Sequence, residues 1–433
     1  MKRYWKITVT LLIIIVTLGI FYSQTTSAIK NIDLRINKIS GDETVLEDVK
    51  IRGSVEEMGS YIWEDFTFED NQIDFYSDNS ISKRFKATSD KTFERLYKDH
   101  KNFLRGKITG KSEDPTMFYE DDKQLIYAEI ISDRRILTGD TSNYRFFIDV
   151  LDKETNKSNS FKLPVPDQKD TNYMDVVDVQ LVNDELVVTA LRSGDFSEVW
   201  THENYEENHV LTDTYHVYRF DINKQELLSK EEIDIPFDSS AENIEEIDFI
   251  NLFMVSKENS LQSNPYHVIA VKFYEENIIS VEYGSDGSHS ESYENKLVDQ
   301  QLFVYQLETG ELNKLDLPED ILLNATFYKM DHHKLYLSIA DGDRLEVAII
   351  DIETNEIEGT VAIGQANEFY GEFIEVADNK LYILSGDMEA SSAASIMVLD
   401  LITEEILYEG EIEVLKNDEK AFNIHFGSIK VYK

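Results

Sequence analysis

Val177-Asp178-Val179-Gln180-Leu181-Val182-Asn183-Asp184-Glu185-Leu186-Val187-Val188 is an alternating apolar run, a tight polar turn and the start of a second run. Period-2 alternation into a turn and out again is the signature of a β-hairpin with a buried face. The phrase recurs about seven times along the chain, each copy with its own polar turn and a following apolar anchor. The other turns are Glu69-Asp70-Asn71-Gln72, Asp121-Asp122-Lys123-Gln124, Glu275-Glu276-Asn277, Asp331-His332-His333-Lys334, Asp378-Asn379-Lys380 and Phe426-Gly427-Ser428. The anchors are Ile73, Leu125, Leu186, Ile278, Leu335, Leu381 and Ile429. A unit of this kind cannot bury its apolar face alone and must stack on its neighbours. The reading is an all-β chain, a seven-bladed β-propeller, with six blades as the alternative if the copy over 58–110 is not a true blade.

The final copy is short. Phe422–His425 and Ser428–Val431 supply two strands, and Ile32–Ile39 with Val49–Val55 could supply the missing pair. Strands from both ends of the chain would then share one sheet and remove exposed sheet edges. Lys91–Arg105 differs in kind: Phe93, Leu96 and Phe103 at helical spacing predict a short amphipathic helix packed as an insertion.

A second hairpin recurs towards the C-terminus. Val304-Tyr305-Gln306-Leu307-Glu308-Thr309-Gly310-Glu311-Leu312 matches Ile349-Ile350-Asp351-Ile352-Glu353-Thr354-Asn355-Glu356-Ile357 and Val398-Leu399-Asp400-Leu401-Ile402-Thr403-Glu404-Glu405-Ile406. Looser copies lie at 147–156 and 217–227. This hairpin resembles the repeat of bacterial extracytoplasmic quinoprotein-like and YVTN-type propellers. The resemblance implies the fold and carries no catalytic residues onto this chain.

Composition narrows the classes of function. The 433 residues include 84 acids against 42 lysines and arginines, for a net charge of -42. Such a surface repels phosphate backbones, which excludes nucleic acid as a partner. No cysteine is present, which removes disulfides, thiolate metal sites and thiol nucleophiles. Gly-x-Ser-x-Gly and glycine-rich phosphate loops are absent as well.

The apolar run ITVTLLIIIVTLGIFY at 7–22 follows Lys2, Arg3 and Lys6. The positive-inside rule places the N-terminus in the cytoplasm and everything after residue 28 outside. Residues 1–28 read as a signal anchor flanked by Tyr4, Trp5, Phe21 and Tyr22, or as a signal peptide cut after Thr26-Ser27-Ala28. The protein is thus expected in the cell membrane with a single pass, or secreted if 1–28 is removed. Residues 29–433 form the propeller domain.

Acidic turns follow the second strand of the repeat at Ser77-Asp78, Gly139-Asp140, Gly194-Asp195, Gly284-Ser285-Asp286, Asp341-Gly342-Asp343 and Gly386-Asp387. Glycine and aspartate are also what tight turns use. Equivalent loops of a propeller lie on one face, so these acids should ring a single opening. Two loops are long: 195–214, with Trp200, His202, Glu203, Tyr205 and His209, and 285–299, with His289, Glu291, Tyr293 and Glu294. The candidate binding residues are therefore Asp195, Trp200, His202, Tyr205, Asp286, Tyr293, Asp341, Asp343 and Asp387. Aromatics anchor and carboxylates select, so a protein or cell-envelope glycan partner is expected.

No cofactor is required, although calcium suits hard oxygen ligands outside a cell. Zinc at His202, Glu203 and His209 lacks a helical ligand spacing. A non-enzymatic binding protein leads. A carbohydrate-active hydrolase using paired face carboxylates and a purely structural subunit of an envelope assembly are the alternatives.

Overall fold

Asn183 and Asp184 take φ of 50° and 65°, Asp378 and Asn379 take 49° and 56°, and Asp70 and Asn71 take 53° and 57°. Positive φ at both central residues defines the type I′ turn, whose twist matches that of paired strands. Asn and Asp occupy these positions because their short side chains tolerate the left-handed region. The polar dipeptides picked out by the repeat thus fold as two-residue hairpin turns.

A computed structural model describes residues 32–57, 63–76, 91–104, 114–132, 144–168, 171–194, 213–236, 249–255, 257, 261–283, 289–341, 344–365, 373–385, 394–416 and 422–431. The first strands are β1 (Ile32–Gly41), β2 (Val49–Glu57), β3 (Trp63–Glu69) and β4 (Gln72–Phe75). Helices α1 (Lys91–Asp99) and α2 (Lys101–Leu104) follow. Next come β5 (Phe118–Glu120), β6 (Gln124–Ser132), β7 (Tyr144–Asp152) and β8 (Lys157–Pro164). Then follow β9 (Thr171–Val182), β10 (Glu185–Gly194), β11 (Asp213–Asp221) and β12 (Glu226–Glu232). The next four are β13 (Phe249–Met254), β14 (Tyr266–Tyr283), β15 (His289–Gln306) and β16 (Glu311–Lys314), and then α3 (Glu319–Asn324). Strands β17 (Ala325–Asp331), β18 (Lys334–Asp341), β19 (Arg344–Asp351) and β20 (Glu356–Gln365) follow. The last are β21 (Phe373–Ala377), β22 (Lys380–Ser385), β23 (Ala394–Asp400), β24 (Ile406–Lys416) and β25 (Phe422–Val431).

These strands form six antiparallel sheets among the described residues, four of them simple meanders: β5–β8, β9–β12, β13–β16 and β17–β20. The other two have orders β1-β24-β23-β22-β21 and β25-β2-β3-β4. The repeats predict seven blades, or six without the copy over 58–110. The copy over 58–110 makes no sheet of its own there, because β3 and β4 extend the sheet built on β2 and β25.

Strands from both ends of the chain do share a sheet, with a different allotment from that expected. Phe422–Val431 is one strand, not two, and it pairs with Val49–Glu57 from end to end. Gly427 sits where the register shifts opposite Arg52 and Gly53, so the phrase Phe426-Gly427-Ser428 is a bulge rather than a turn. β1 leaves β2 and pairs with β24 as a fifth strand, from Ile32 opposite Lys416 to Gly41 opposite Tyr408. Glu275-Glu276-Asn277 is not a turn either. It lies inside β14, where Glu275 faces Lys296 of β15 across the ladder with an ion pair at 3.5 Å.

The chain divides into two compact units. One comprises Met1–Glu94, Asp341–Leu345 and Val361–Lys433. Its core packs Ile51, Val55, Phe66 and Phe68 with Leu384, Ile396 and Val398. The other comprises Arg95–Ala340 and Glu346–Thr360. There, Phe146 of β7 meets Tyr218 and Phe220 of β11 edge-on, at 4.7 and 5.0 Å between ring centres. One cluster joins Val187 and Val217 to Ile269 and Phe303, and a further one joins Val268 and Leu302 to Leu335 and Ile350. Successive meanders are therefore packed face on face, as propeller blades are. The expected single helix is two short ones, in which Leu96 and Phe103 of the predicted spacing are buried together with Leu104.

The outer hairpins repeat a second device. Asp152, Asp221, Asp351 and Asp400 open five-residue loops and accept backbone N–H groups two or three residues on, at 2.7–2.9 Å. These four loops close on residues at positive φ, Asn156, Gln225, Asn355 and Glu404, and Gly310 closes the equivalent loop that begins at Gln306. The backbone hydrogen bond from Thr155 and that from Thr403 hold the Asp152 and Asp400 carboxyls below their usual range.

Candidate functional site

Seven of the nine residues expected to bind fall at one topological position. Asp195, Trp200, His202 and Tyr205 lie between β10 and β11, Asp286 between β14 and β15, Asp343 between β18 and β19, and Asp387 between β22 and β23. Each is a connection from the second to the third strand of its sheet. Those connecting residues, with His209 and Glu203, lie outside the described residues, as does the calcium or zinc chemistry read on them. Asp341 ends β18, and only its backbone is described. Tyr293 is in β15 and pairs with Ile278 of β14, so most of the expected loop 285–299 is strand. Ser77-Asp78 departs from the pattern: it follows the fourth strand of its sheet rather than the second.

The strands anchoring the longest connection are well fixed. Ser193 and Asp213 face each other where β10 and β11 open, and the Ser193 hydroxyl donates to Asp213 Oδ1 at 2.5 Å. By contrast, β9 and β10, β17 and β18, and β21 and β22 are each joined by two residues, although β13 and β14 are joined by residues 255–265. His332, at φ 53°, keeps its Nδ1 on Asp331 Oδ1 at 2.5 Å, the turn role expected of it.

The structure also assembles a polar cluster that alternation did not reveal. Asp178 occupies a polar position of the quoted run, yet it is 2% exposed. Its carboxylate pairs with Lys257 and accepts from the Gln180 amide. His267 Nε2 is 3.7 Å from Asp178 Oδ2 and 2.9 Å from the Thr189 hydroxyl, with Thr189 opposite Asp178 in the ladder. Gln180 Oε1 accepts from the Asn264 backbone at 2.7 Å, and the Asn264 amide donates to the His332 carbonyl at 2.9 Å. Burial pushes His267 down to about 4 against the opposing pull of Asp178, so the ring is neutral at pH 7. The cluster ties β9, β10 and β14 to Lys257 and closes off from water. Its chemistry is that of a strand lock, since no face of it is open to a substrate.

A second cluster seats the helices. Glu120 receives Arg95 Nη2 at 2.6 Å, Lys153 Nζ at 2.8 Å and His100 Nε2 at 3.2 Å. Burial alone would raise the Glu120 pKa, but the Lys153 hydrogen bond and the Arg95 charge outweigh it and leave it lowered. Among the described residues, no group of three or more His, Asp or Glu is placed to hold a metal ion. Among them, too, no helix is long and apolar enough to cross a membrane, and residues 1–31 lie outside that description.

No protein-family model matches the chain, and no curated protein matches it. Among solved structures it is similar to TolB from Acinetobacter baumannii, at 9% identity over 88% of this chain and 67% of that one, with a TM-score of 0.29. It is also similar to a D477G ACO/RPE65 chimera, at 8% identity over 80% and 67%, with a TM-score of 0.36. A third is the acylaminoacyl peptidase of Pyrococcus horikoshii, at 10% identity over 86% and 49%, with a TM-score of 0.27. This chain spans about half the length of that peptidase. These likenesses concern the fold, and no activity follows from them. The class defined by the packed four-stranded meanders is that of the β-propeller-like proteins.

Proposed function

We propose that each of the six sheets is a propeller blade and that the chain is an extracytoplasmic, non-enzymatic propeller binding a cell-envelope glycan. One observation carries the reading. Most of the candidate aromatic and acidic residues fall on second-to-third strand connections in four separate sheets, while the first-to-second connections of three of those sheets are two-residue turns. Variable loops on a rigid repeated framework are where such scaffolds place recognition. Trp200, Tyr205 and Tyr293 supply apolar faces for sugar rings, and Asp195, Asp286, Asp341, Asp343 and Asp387 supply acceptors for hydroxyls. Residues 1–28 hold the chain at the membrane or direct its secretion.

Single Asp→Asn changes at 195, 286, 341 and 387 test this against the hydrolase reading. Graded weakening of glycan binding, with no change in glycan chain length on incubation, is expected. Loss of a measurable turnover from one or two of these changes would establish a hydrolase instead. A protein ligand on the same loops is the second partner class.

A further inference from the structure

The sheet β25-β2-β3-β4 differs from the meanders in what it does with its second face. Leu186–Ala190 of β10 and Leu381–Ser385 of β22 are buried at consecutive positions, so both faces of those strands are covered. In β2, Arg52, Ser54 and Glu56 are only partly buried, and in β3 burial alternates through Glu64, Phe66 and Phe68, while Ile51, Val55 and Phe66 join the core with Phe426. The opposite face is polar across all four strands. Arg52 stands opposite Thr67 and Ser428, Thr67 opposite Asp74, and Ser54 opposite Asp65.

Those residues, with Tyr76, line an open cleft of about 400 Å³. Small-ligand sites run from roughly 300 to 1,000 Å³. Among the described residues, the carboxylates of Asp65 and Asp74 and the hydroxyls of Ser54, Thr67 and Ser428 have no protein partner. Two carboxylates against one guanidinium disfavour an anionic ligand. Acceptors, a strong donor and hydroxyls that do both suit a ligand whose own groups donate and accept alike. A neutral sugar presents such groups, and Tyr76 adds an aromatic residue to the lining, the type that pyranose rings pack against.

We propose that this cleft is a binding site for a neutral disaccharide, contacted by Arg52, Ser54, Asp65, Thr67, Asp74 and Tyr76. It deepens the glycan reading, but it uses none of the loop residues on which that reading stands.

Saturation-transfer NMR of the full chain with cellobiose, maltose and N,N′-diacetylchitobiose tests the site. At least one of the three is expected to receive saturation. Thr67→Val and Asp74→Asn should each weaken it about tenfold, the scale of one lost hydrogen bond to a charged or well-placed group. Both positions are on the uncovered face, and an unchanged thermal midpoint confirms that the variants fold. Replacing Trp200, Tyr205 and Tyr293 together by alanine should leave this binding intact, which separates the cleft from the loop face. No transfer to any of the three sugars, or binding that neither cleft variant weakens, overturns the proposal.

Discussion

Lys257 and Asp178 form an ion pair sealed inside the protein, with side chains 8% and 3% exposed. A buried pair owes its geometry to the hydrogen bonds around it, here from Gln180 to Asp178, and the attraction of the two charges is offset by the loss of water. Removing one partner leaves the other charged, buried and alone. Asp178→Asn or Lys257→Met should each destabilise the fold by about 3–5 kcal/mol. The double change Asp178→Asn with Lys257→Met should lose less than the two singles summed. Urea unfolding of all three variants measures the coupling, and strict additivity would show that the pair does not act as a unit.

His267 makes stability depend on pH. Its folded pKa of about 4 lies below the ordinary value near 6.5, so the unfolded chain binds a proton that the folded chain excludes. The unfolded state therefore gains as pH falls through that window. The stability is complete above about 6.5 and is lost progressively towards pH 4, by about 3 kcal/mol from this group. Thermal midpoints from pH 7 to 4.5 should fall more steeply in the native chain than in His267→Gln, and parallel curves would refute this assignment.

Glu404 closes an outer hairpin at φ 58°, where Gly310 serves in another sheet. The left-handed conformation costs an ordinary residue about 1–2 kcal/mol. Glu404→Gly should therefore raise stability by up to about 1 kcal/mol, after the entropy glycine loses on folding. The urea midpoint should rise with the slope unchanged. A fall in midpoint would mean that the Glu404 side chain contributes elsewhere.

Gly53 of β2 pairs with Phe66 of β3 and Phe426 of β25. A Cβ there would stand 2.5 Å from the His425 carbonyl oxygen and 2.6 Å from the Phe66 ring. The carbonyl belongs to backbone and cannot turn aside. Gly53→Ala should cost about 1–3 kcal/mol as an overpacked contact, measured by the same urea titration. Gly359→Ala, with open space around the new methyl, is the control expected to show little change.

The hairpins were legible because turn chemistry is local. Asn183-Asp184 and Asp378-Asn379 announce positive φ by residue type, and the Asp-x-x-Thr loops carry their own hydrogen bonds. Sheet membership was less legible, because pairing is decided by distant partners. Nothing within Ile32–Gly41 says that it prefers β24 to β2, and only the ladder opposite β15 shows that Glu275-Glu276-Asn277 continues a strand. Asp178 was hidden for a related reason. Alternation assumes one wet face, whereas a sheet packed between two others buries both, and a polar residue on the second face must then find partners such as Lys257 and Gln180. Arg52, Thr67 and Asp74 gave no signal, since isolated polar residues of a strand look alike whether they line a cleft or only meet water.

The most direct test of the account is binding of the full chain to an array of cell-envelope glycans, beside the variant with Trp200, Tyr205 and Tyr293 all changed to alanine. The account predicts that the native chain is retained on at least one glycan class. It predicts that the variant loses most of its retention on at least one of those classes, other than the neutral disaccharides held by the cleft, while its thermal midpoint is unchanged. Retention on no glycan, or equal retention of both chains, would contradict it.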